Sequence, residues 1–153
     1  MSEESVHEAA CFCGTVKFRL LGEPELMAYC HCDSCRHWSA GPVSAFTLWK
    51  PDSLQVTEGA DKIAGFEKNP GSDDETIVSK RNWCTDCGGH LFVEHPTMGL
   101  FDVPASVIKG FDFKPVFHVH YQEAVHPIVD GLTKFKDLPE EAGGSGIKLA
   151  EPA

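Results

Sequence analysis

The chain is short of positive charge, of long apolar runs and of helical periodicity, and each shortage removes a class of function. Lys and Arg together number 13 against 23 Asp and Glu, a formal charge of −10 over 153 residues. Nucleic-acid binding draws on a basic surface that neutralises phosphates, so no nucleic-acid partner is expected. No stretch approaches the roughly 18 consecutive apolar residues of a membrane-spanning helix, so no membrane partner is expected either. Apolar residues recurring at helical spacing over several turns are missing, as is any internal repeat. The residues after Met1 are Ser-Glu-Glu-Ser, with no basic and apolar leader for secretion, which sets the expectation of a cytoplasmic protein.

What the chain has instead is cysteine, in three tight clusters: Cys11-x-Cys13, Cys30-x-Cys32-x-x-Cys35 and Cys84-x-x-Cys87. Ligands one or two residues apart lie on a single turn and can present their sulfurs to one ion with little further ordering of the chain. Gly14 follows the first pair and Gly88-Gly89 the last, which suits a tight knuckle because glycine reaches backbone angles other residues avoid. A structural zinc takes four protein ligands, whereas a catalytic zinc usually takes three and leaves one position open. The two outer pairs together fill the first kind of site, and the middle three make the second. The outer pairs come from distant parts of the chain, so a closed zinc there is expected to staple the two ends of the sheet together.

Two plainer readings stand beside this one. Seven thiols could form disulfides, but the count is odd, and reduced thiols are the rule in the expected compartment. All seven could serve structural zinc, with His31, His37, His118 or His120 completing the second site as a three-cysteine, one-histidine set.

The 42 % apolar content and the length fit one small domain with a real core. Its elements read as short strands. Val16, Phe18 and Leu20 alternate with Lys17 and Arg19, the period of a half-buried strand. Glu25 to Tyr29 leads into the middle cluster, where 34–37 could form a short helical turn, and further strands are expected over 43–48, 54–56, 63–66, 76–80 and 90–93, separated by Pro, Gly, Asn and Asp. Asn69 to Glu75 reads as an exposed hairpin loop. From Pro139 onward the Glu-Glu-Ala-Gly-Gly-Ser-Gly run and the final Pro-Ala read as a disordered tail, 139–153, behind a zinc-binding domain at 1–138. The fold class is all-β with little helix.

Among the other side chains, His31 lies between two candidate ligands and must point away from an ion that its neighbours face. Strand alternation through Phe117-His118-Val119-His120-Tyr121 puts both histidines on one face, with His118 a candidate acid–base group or support for the site. Arg36 directly follows the last cysteine of the open set and suits a substrate carboxylate, with Lys80 and Arg81 as further basic candidates. Trp38, Trp49 and Trp83 read as packing residues.

Taken in order, Cys11-Phe-Cys13-Gly14, Cys30-His31-Cys32-Asp33-Ser34-Cys35-Arg36 and Cys84-Thr-Asp-Cys87-Gly88 resemble the glutathione-dependent formaldehyde-activating family and the related centromere-protein-V-like domains. Lys114-Pro115, His118, Asp130-Gly131-Leu132 and Phe135 are similar to that family's closing segment, so the likeness spans about residues 6 to 138. The resemblance implies a β-tent fold stapled by zinc. It implies a structural zinc on Cys11, Cys13, Cys84 and Cys87, and a catalytic zinc on Cys30, Cys32 and Cys35. It further implies a carbon–sulfur lyase that joins formaldehyde to glutathione as S-hydroxymethylglutathione, with a glutathione-like thiol and an aldehyde as small-molecule partners. Cys30, Cys32, Cys35, His118 and Arg36 are the expected catalytic group. A noncatalytic zinc-binding interaction module is the alternative. The stretches 69–75 and 95–101 match no part of the family pattern, so they are where a different substrate choice would be written.

Overall fold

The computed structural model describes residues 4–68 and 79–151. In chain order the elements are β1 (Val6–Ala10), β2 (Lys17–Leu21), β3 (Leu26–Cys30), α1 (Asp33–Ser39), β4 (Ser44–Trp49), β5 (Leu54–Glu58), β6 (Ile63–Lys68), β7 (Ser79–Cys84), β8 (His90–His95), β9 (Leu100–Pro104), β10 (Phe117–Val119), β11 (Thr133–Phe135) and β12 (Lys148–Leu149). Strands therefore dominate and α1 is the one α-helix among the described residues, as the sequence pattern requires. The expected hairpin loop at 69–75 and the first part of the strand expected over 76–80 lie outside the described residues. Ser79 and Lys80 open β7, which runs on to Cys84.

The described residues divide into two compact units. One draws on Met1–Glu25 and Thr47–Asp112, the other on Leu26–Phe46 and Phe113–Ala153. In the first unit β1, β2 and β5 form a three-stranded antiparallel sheet, and β6, β7, β8 and β9 follow one another as an antiparallel meander. The alternation along β2 does what it predicts, with Phe18 and Leu20 fully buried while Lys17 is exposed. Around them close Val16, Trp49, Leu91, Phe92, Val103 and Ile108. Phe92 meets Phe18 edge to face at 5.6 Å and stacks on Phe101, geometries that add to the area-driven gain of burying rings. One polar chain crosses this core. Trp49 Nε1 donates to the Thr47 hydroxyl at 2.7 Å, and Thr47 Oγ1 donates to the Val103 carbonyl at 2.6 Å. The stretch 95–101, unmatched in the sequence pattern, is the tight turn from β8 into β9, closed by the Met98 N–H on the His95 carbonyl.

The second unit is built around β10. This strand of three residues pairs in parallel with β3 on one side and β11 on the other, and β12 adds to β11 antiparallel. Parallel neighbours demand long connections, so their residues lie far apart in sequence. The segment after Pro139 differs from the disordered tail expected. It forms a helical turn at Glu140–Ala142 and the strand β12. The physical reason is one carboxylate: Asp137 Oδ1 accepts from Leu138 N, Ser145 N and Ser145 Oγ at 2.6, 2.8 and 2.9 Å, closing the glycine-rich run into an ordered loop. Pro152 and Ala153 lie outside the described residues.

Replacing Thr47 by valine keeps its shape but orphans both the indole N–H and the Val103 carbonyl, each costing about 1–3 kcal/mol when buried. We expect urea unfolding to show Thr47→Val destabilised by about 2 kcal/mol or more. Thr47→Ser, which keeps the hydroxyl, should lose less.

Candidate metal centres

Both cysteine sets converge. Cys11, Cys13, Cys84 and Cys87 have their sulfurs all within 4.8 Å of one another, and so do Cys30, Cys32 and Cys35. Every cysteine is a free thiol, so the disulfide reading falls.

The four-cysteine set lies wholly in the first unit. Cys11 and Cys13 sit in the turn from β1 to β2, Cys84 ends β7, and Cys87 lies in the turn to β8. The staple therefore ties the hairpin of the three-stranded sheet to a hairpin of the meander, instead of joining the two ends of one sheet. Gly14 and Gly88, directly after each pair, take φ of +80° and +73°, a region only glycine enters at little cost, and each lets the chain turn back beside the sulfurs. Backbone N–H groups then face the ligands: Val16 N donates to Cys11 Sγ, and Gly89 N to Cys87 Sγ, both at 3.3 Å.

The distances fit a tetrahedral zinc. With a Zn–S bond of about 2.3 Å, neighbouring sulfurs fall about 3.8 Å apart, and Cys11–Cys13 and Cys13–Cys84 measure 3.6 and 3.9 Å. A Thr15 hydrogen bond lowers the Cys13 thiol to about 6, whereas burial raises Cys84 to about 11. Four such sulfurs can all ionise only against a cation.

The three-cysteine set lies in the second unit, at the end of β3 and the start of α1. Cys32 caps the helix, accepting from Cys35 N at 3.3 Å. The Cys30 and Cys35 thiols pull the Cys32 thiol strongly down, and hydrogen bonds with Cys32 and Cys35, then burial, push Cys30 up. Among the described residues no histidine or carboxylate joins these three sulfurs as a fourth donor. His31 alternates away from them, as its position demands, but is neither exposed nor loosely packed. It is fully buried and its Nε2 lies 2.8 Å from Nδ1 of His118, also fully buried. His118 Nε2 in turn lies 2.7 Å from Asp130 Oδ2.

That geometry sets the protons. A carboxylate only accepts, so His118 donates from Nε2, and a further proton is held between His118 Nδ1 and His31 Nε2. His31 Nδ1 is left without a hydrogen-bond partner among the described residues. Burial, then the charge on His118, lowers His31 to about 4, so it is neutral at pH 7.

The pairing of His118 with His120 on one strand face does not occur. β10 ends at Val119, and His120 takes a left-handed φ of 53° as the chain turns. His120 instead faces Glu123 at 3.6 Å. Arg36 donates from Nε to the His31 carbonyl at 2.9 Å and lies 3.6 Å from Asp33. It lines an open cleft of about 400 Å³ with Asp33, His37, Pro42 and Val125. Lys80 and Arg81 lie on β7 in the first unit. Trp49 is core, and Trp38 and Trp83 are half-buried.

Three members of the network escaped the sequence reading. Asp130 enters the sequence pattern only as part of the Asp130-Gly131-Leu132 motif. Lys134, 1 % exposed, donates to Asp130 Oδ1 at 2.9 Å, and nothing in the sequence marks it as buried. Tyr121 sets its ring edge-on to both histidines.

The chain is in class a β-rich protein with two convergent cysteine sets, one of four and one of three, that could each hold a metal ion. The profile of the family described as glutathione-dependent formaldehyde-activating enzyme matches residues 6–123, and the chain belongs to that family. An uncharacterised lyase of Schizosaccharomyces pombe is 26 % identical over 107 residues, covering 69 % of this chain and 71 % of its own. A Halomonas elongata protein, provisionally named a glutathione-dependent formaldehyde-activating enzyme, is 29 % identical over 115 residues, 74 % of this chain and 72 % of its own. The crystal structure of a Rhodobacter sphaeroides protein shares the fold at 20 % identity and a TM-score of 0.50, over 69 % of this chain and 90 % of that one.

Two outcomes follow. Cys84→Ser should lose one metal equivalent and destabilise the first unit, because metal binding at such a site is coupled to folding; metal analysis with thermal unfolding reads both. Separately, burial works to raise the Asp130 carboxyl, but hydrogen bonds from Lys134 and His118 outweigh it and hold it at about 2 against the usual 3.8. A depressed carboxyl adds stability above its unfolded pKa that is lost as pH falls through the folded one, here between about pH 4 and 2. The contribution is at most about 2 kcal/mol. Denaturation across that window should show the loss in the parent chain and a flatter slope in Asp130→Asn.

Proposed function

We propose that this chain is a zinc-dependent carbon–sulfur lyase that forms or cleaves an S-hydroxymethylglutathione-type adduct at Cys30, Cys32 and Cys35, with a second, structural zinc on Cys11, Cys13, Cys84 and Cys87. The observation that carries the reading is the contrast between the two sets: four sulfurs converge in one, and in the other three converge with no fourth donor among the described residues. Family membership supports it. When bound at the open set, zinc would supply the cation that keeps a substrate thiol ionised near neutral pH.

The remaining roles belong to the chain's own side chains. Cys32 and its two neighbours hold the ion. Arg36, tied on one side to the His31 carbonyl and lining the cleft beside α1, meets a carboxylate of a glutathione-like thiol, which lets an acidic protein take an anionic substrate. In the adduct-forming direction the substrate sulfur bonds to the aldehyde carbon, the carbon–oxygen π bond opens, and the oxygen takes up a proton; cleavage reverses each step. His118 commits both ring nitrogens within the protein, so its part is to support the site, not to hand that proton to substrate. Because thiols add to formaldehyde unaided, each tenfold gain over background requires about 1.4 kcal/mol of transition-state stabilisation.

Zinc content per chain, with calorimetric titration of glutathione into the zinc-loaded protein, tests this directly. About two zinc ions and saturable thiol binding that Cys32→Ser abolishes are expected, with Arg36→Ala weakening the binding about tenfold, the loss of a charge-assisted pair. Tightly held zinc with no thiol binding would give the chain over to a noncatalytic zinc module.

A further inference from the structure

We infer that Asp130, held in place by Lys134 and Glu151, is a positioning residue for the three-cysteine site and acts on it through His118 and His31. The inference rests on the proposed reading of that site as a metal centre.

The contacts form one unbroken line. Asp130 Oδ2 meets His118 Nε2 at 2.7 Å, and His118 Nδ1 meets His31 Nε2 at 2.8 Å. His31 is the residue between Cys30 and Cys32, so fixing it fixes the stretch of backbone from which two of the three sulfurs project. It is fixed at every polar group but one. Its N–H donates to the Val119 carbonyl at 3.1 Å, its carbonyl accepts from Arg36 Nε, and its ring is held by His118. Tyr29 stacks on the His118 ring at 4.8 Å, and Tyr121 stands edge-on to His31 at 4.7 Å, so neither imidazole can rotate without displacing a neighbour.

The far end of the line is anchored as firmly. Asp130 Oδ1 accepts from Lys134 Nζ at 2.9 Å and from Leu132 N at 3.0 Å. A single oxygen of Glu151 accepts from Asp130 N at 2.7 Å and Gly131 N at 3.0 Å, and pairs with Lys134 Nζ at 3.3 Å. Asp130, Lys134 and Glu151 all lie beyond residue 123, where the family match stops.

Burying two imidazoles and a lysine in a row is costly compared with apolar packing of the same volume. Packing alone gives no reason for such a row. Orienting the ligand backbone does, because hydrogen-bonded partners of this kind set ligand geometry and their loss typically lowers metal affinity 10–100-fold.

The test is cobalt titration of the metal-free full-length protein, following the thiolate charge-transfer and ligand-field bands, with nitrogen-15 NMR of the histidine rings. The parent chain should take two cobalt ions, with His118 protonated at Nε2. Asp130→Ala should keep the four-cysteine ion at parental affinity and weaken the other about tenfold, near the lower end of that range because Asp130 acts at one remove. It should also release His118 from its fixed tautomer. Asp130→Asn keeps an oxygen for Lys134 Nζ and Leu132 N but turns its NH2 toward His118 Nε2, so it should fold like the parent chain and still move the His118 proton off Nε2. Two cobalt ions bound by Asp130→Ala with parental affinity would overturn the inference and leave the site reading standing. One cobalt ion in the parent chain would overturn both. If Asp130→Ala also loses the four-cysteine ion, meaning that it does not fold, Glu151→Ala decides, since it removes three contacts, to Asp130 N, Gly131 N and Lys134 Nζ, without opening a cavity. A several-fold weakening confined to the three-cysteine ion supports the inference, and unchanged affinity overturns it.

Discussion

Sulfurs held within 4.8 Å of one another are the constraint from which the rest of this chain follows. Thiolates at that spacing repel strongly unless a cation sits among them. The protein meets the problem twice and differently. In the first unit, backbone N–H groups and two tight knuckles gather four sulfurs at the meeting of two hairpins. In the second, the end of a strand and the start of a short helix gather three, and ionisation concentrates on Cys32.

The two sets also differ in what stands behind them. The four-cysteine set is backed by the apolar core of its unit, where Cys11 and Cys84 are themselves members of the cluster around Phe18 and Trp49. Behind the three-cysteine set lies a polar line of His31, His118, Asp130, Lys134 and Glu151. An apolar backing holds a site by shape. A hydrogen-bonded backing holds it by direction, since each bond specifies an angle as well as a distance. On the proposed reading the three-cysteine set keeps a place for substrate and has more need of the second kind.

How much of this the sequence could reveal depends on range. The cysteine sets were legible because their ligands come in local pairs and triplets, and each pair carries its glycine. Strands such as β2 were legible because alternation is local too. What could not be read is long-range: that β10 stops after three residues and lies between two parallel partners distant in sequence. For the same reason the sequence placed His120 beside His118, when one left-handed residue ends the alternation. Burial of Lys134 follows from carboxylates brought in by the fold, and the glycine-rich run near the end looked disordered because Asp137, which closes it, precedes the run.

The division into two units has a consequence for the order of events on the ribosome. The unit with four cysteines is finished once residue 112 has emerged, and its metal ligands are complete at Cys87. The other begins with Leu26 but needs Glu151 before the turn carrying Asp130 is tied down. During vectorial synthesis the earlier thiols Cys30, Cys32 and Cys35 therefore wait, short of their support, while the other set can close. The four-cysteine set is thus complete in the chain before the three-cysteine set has the support behind it.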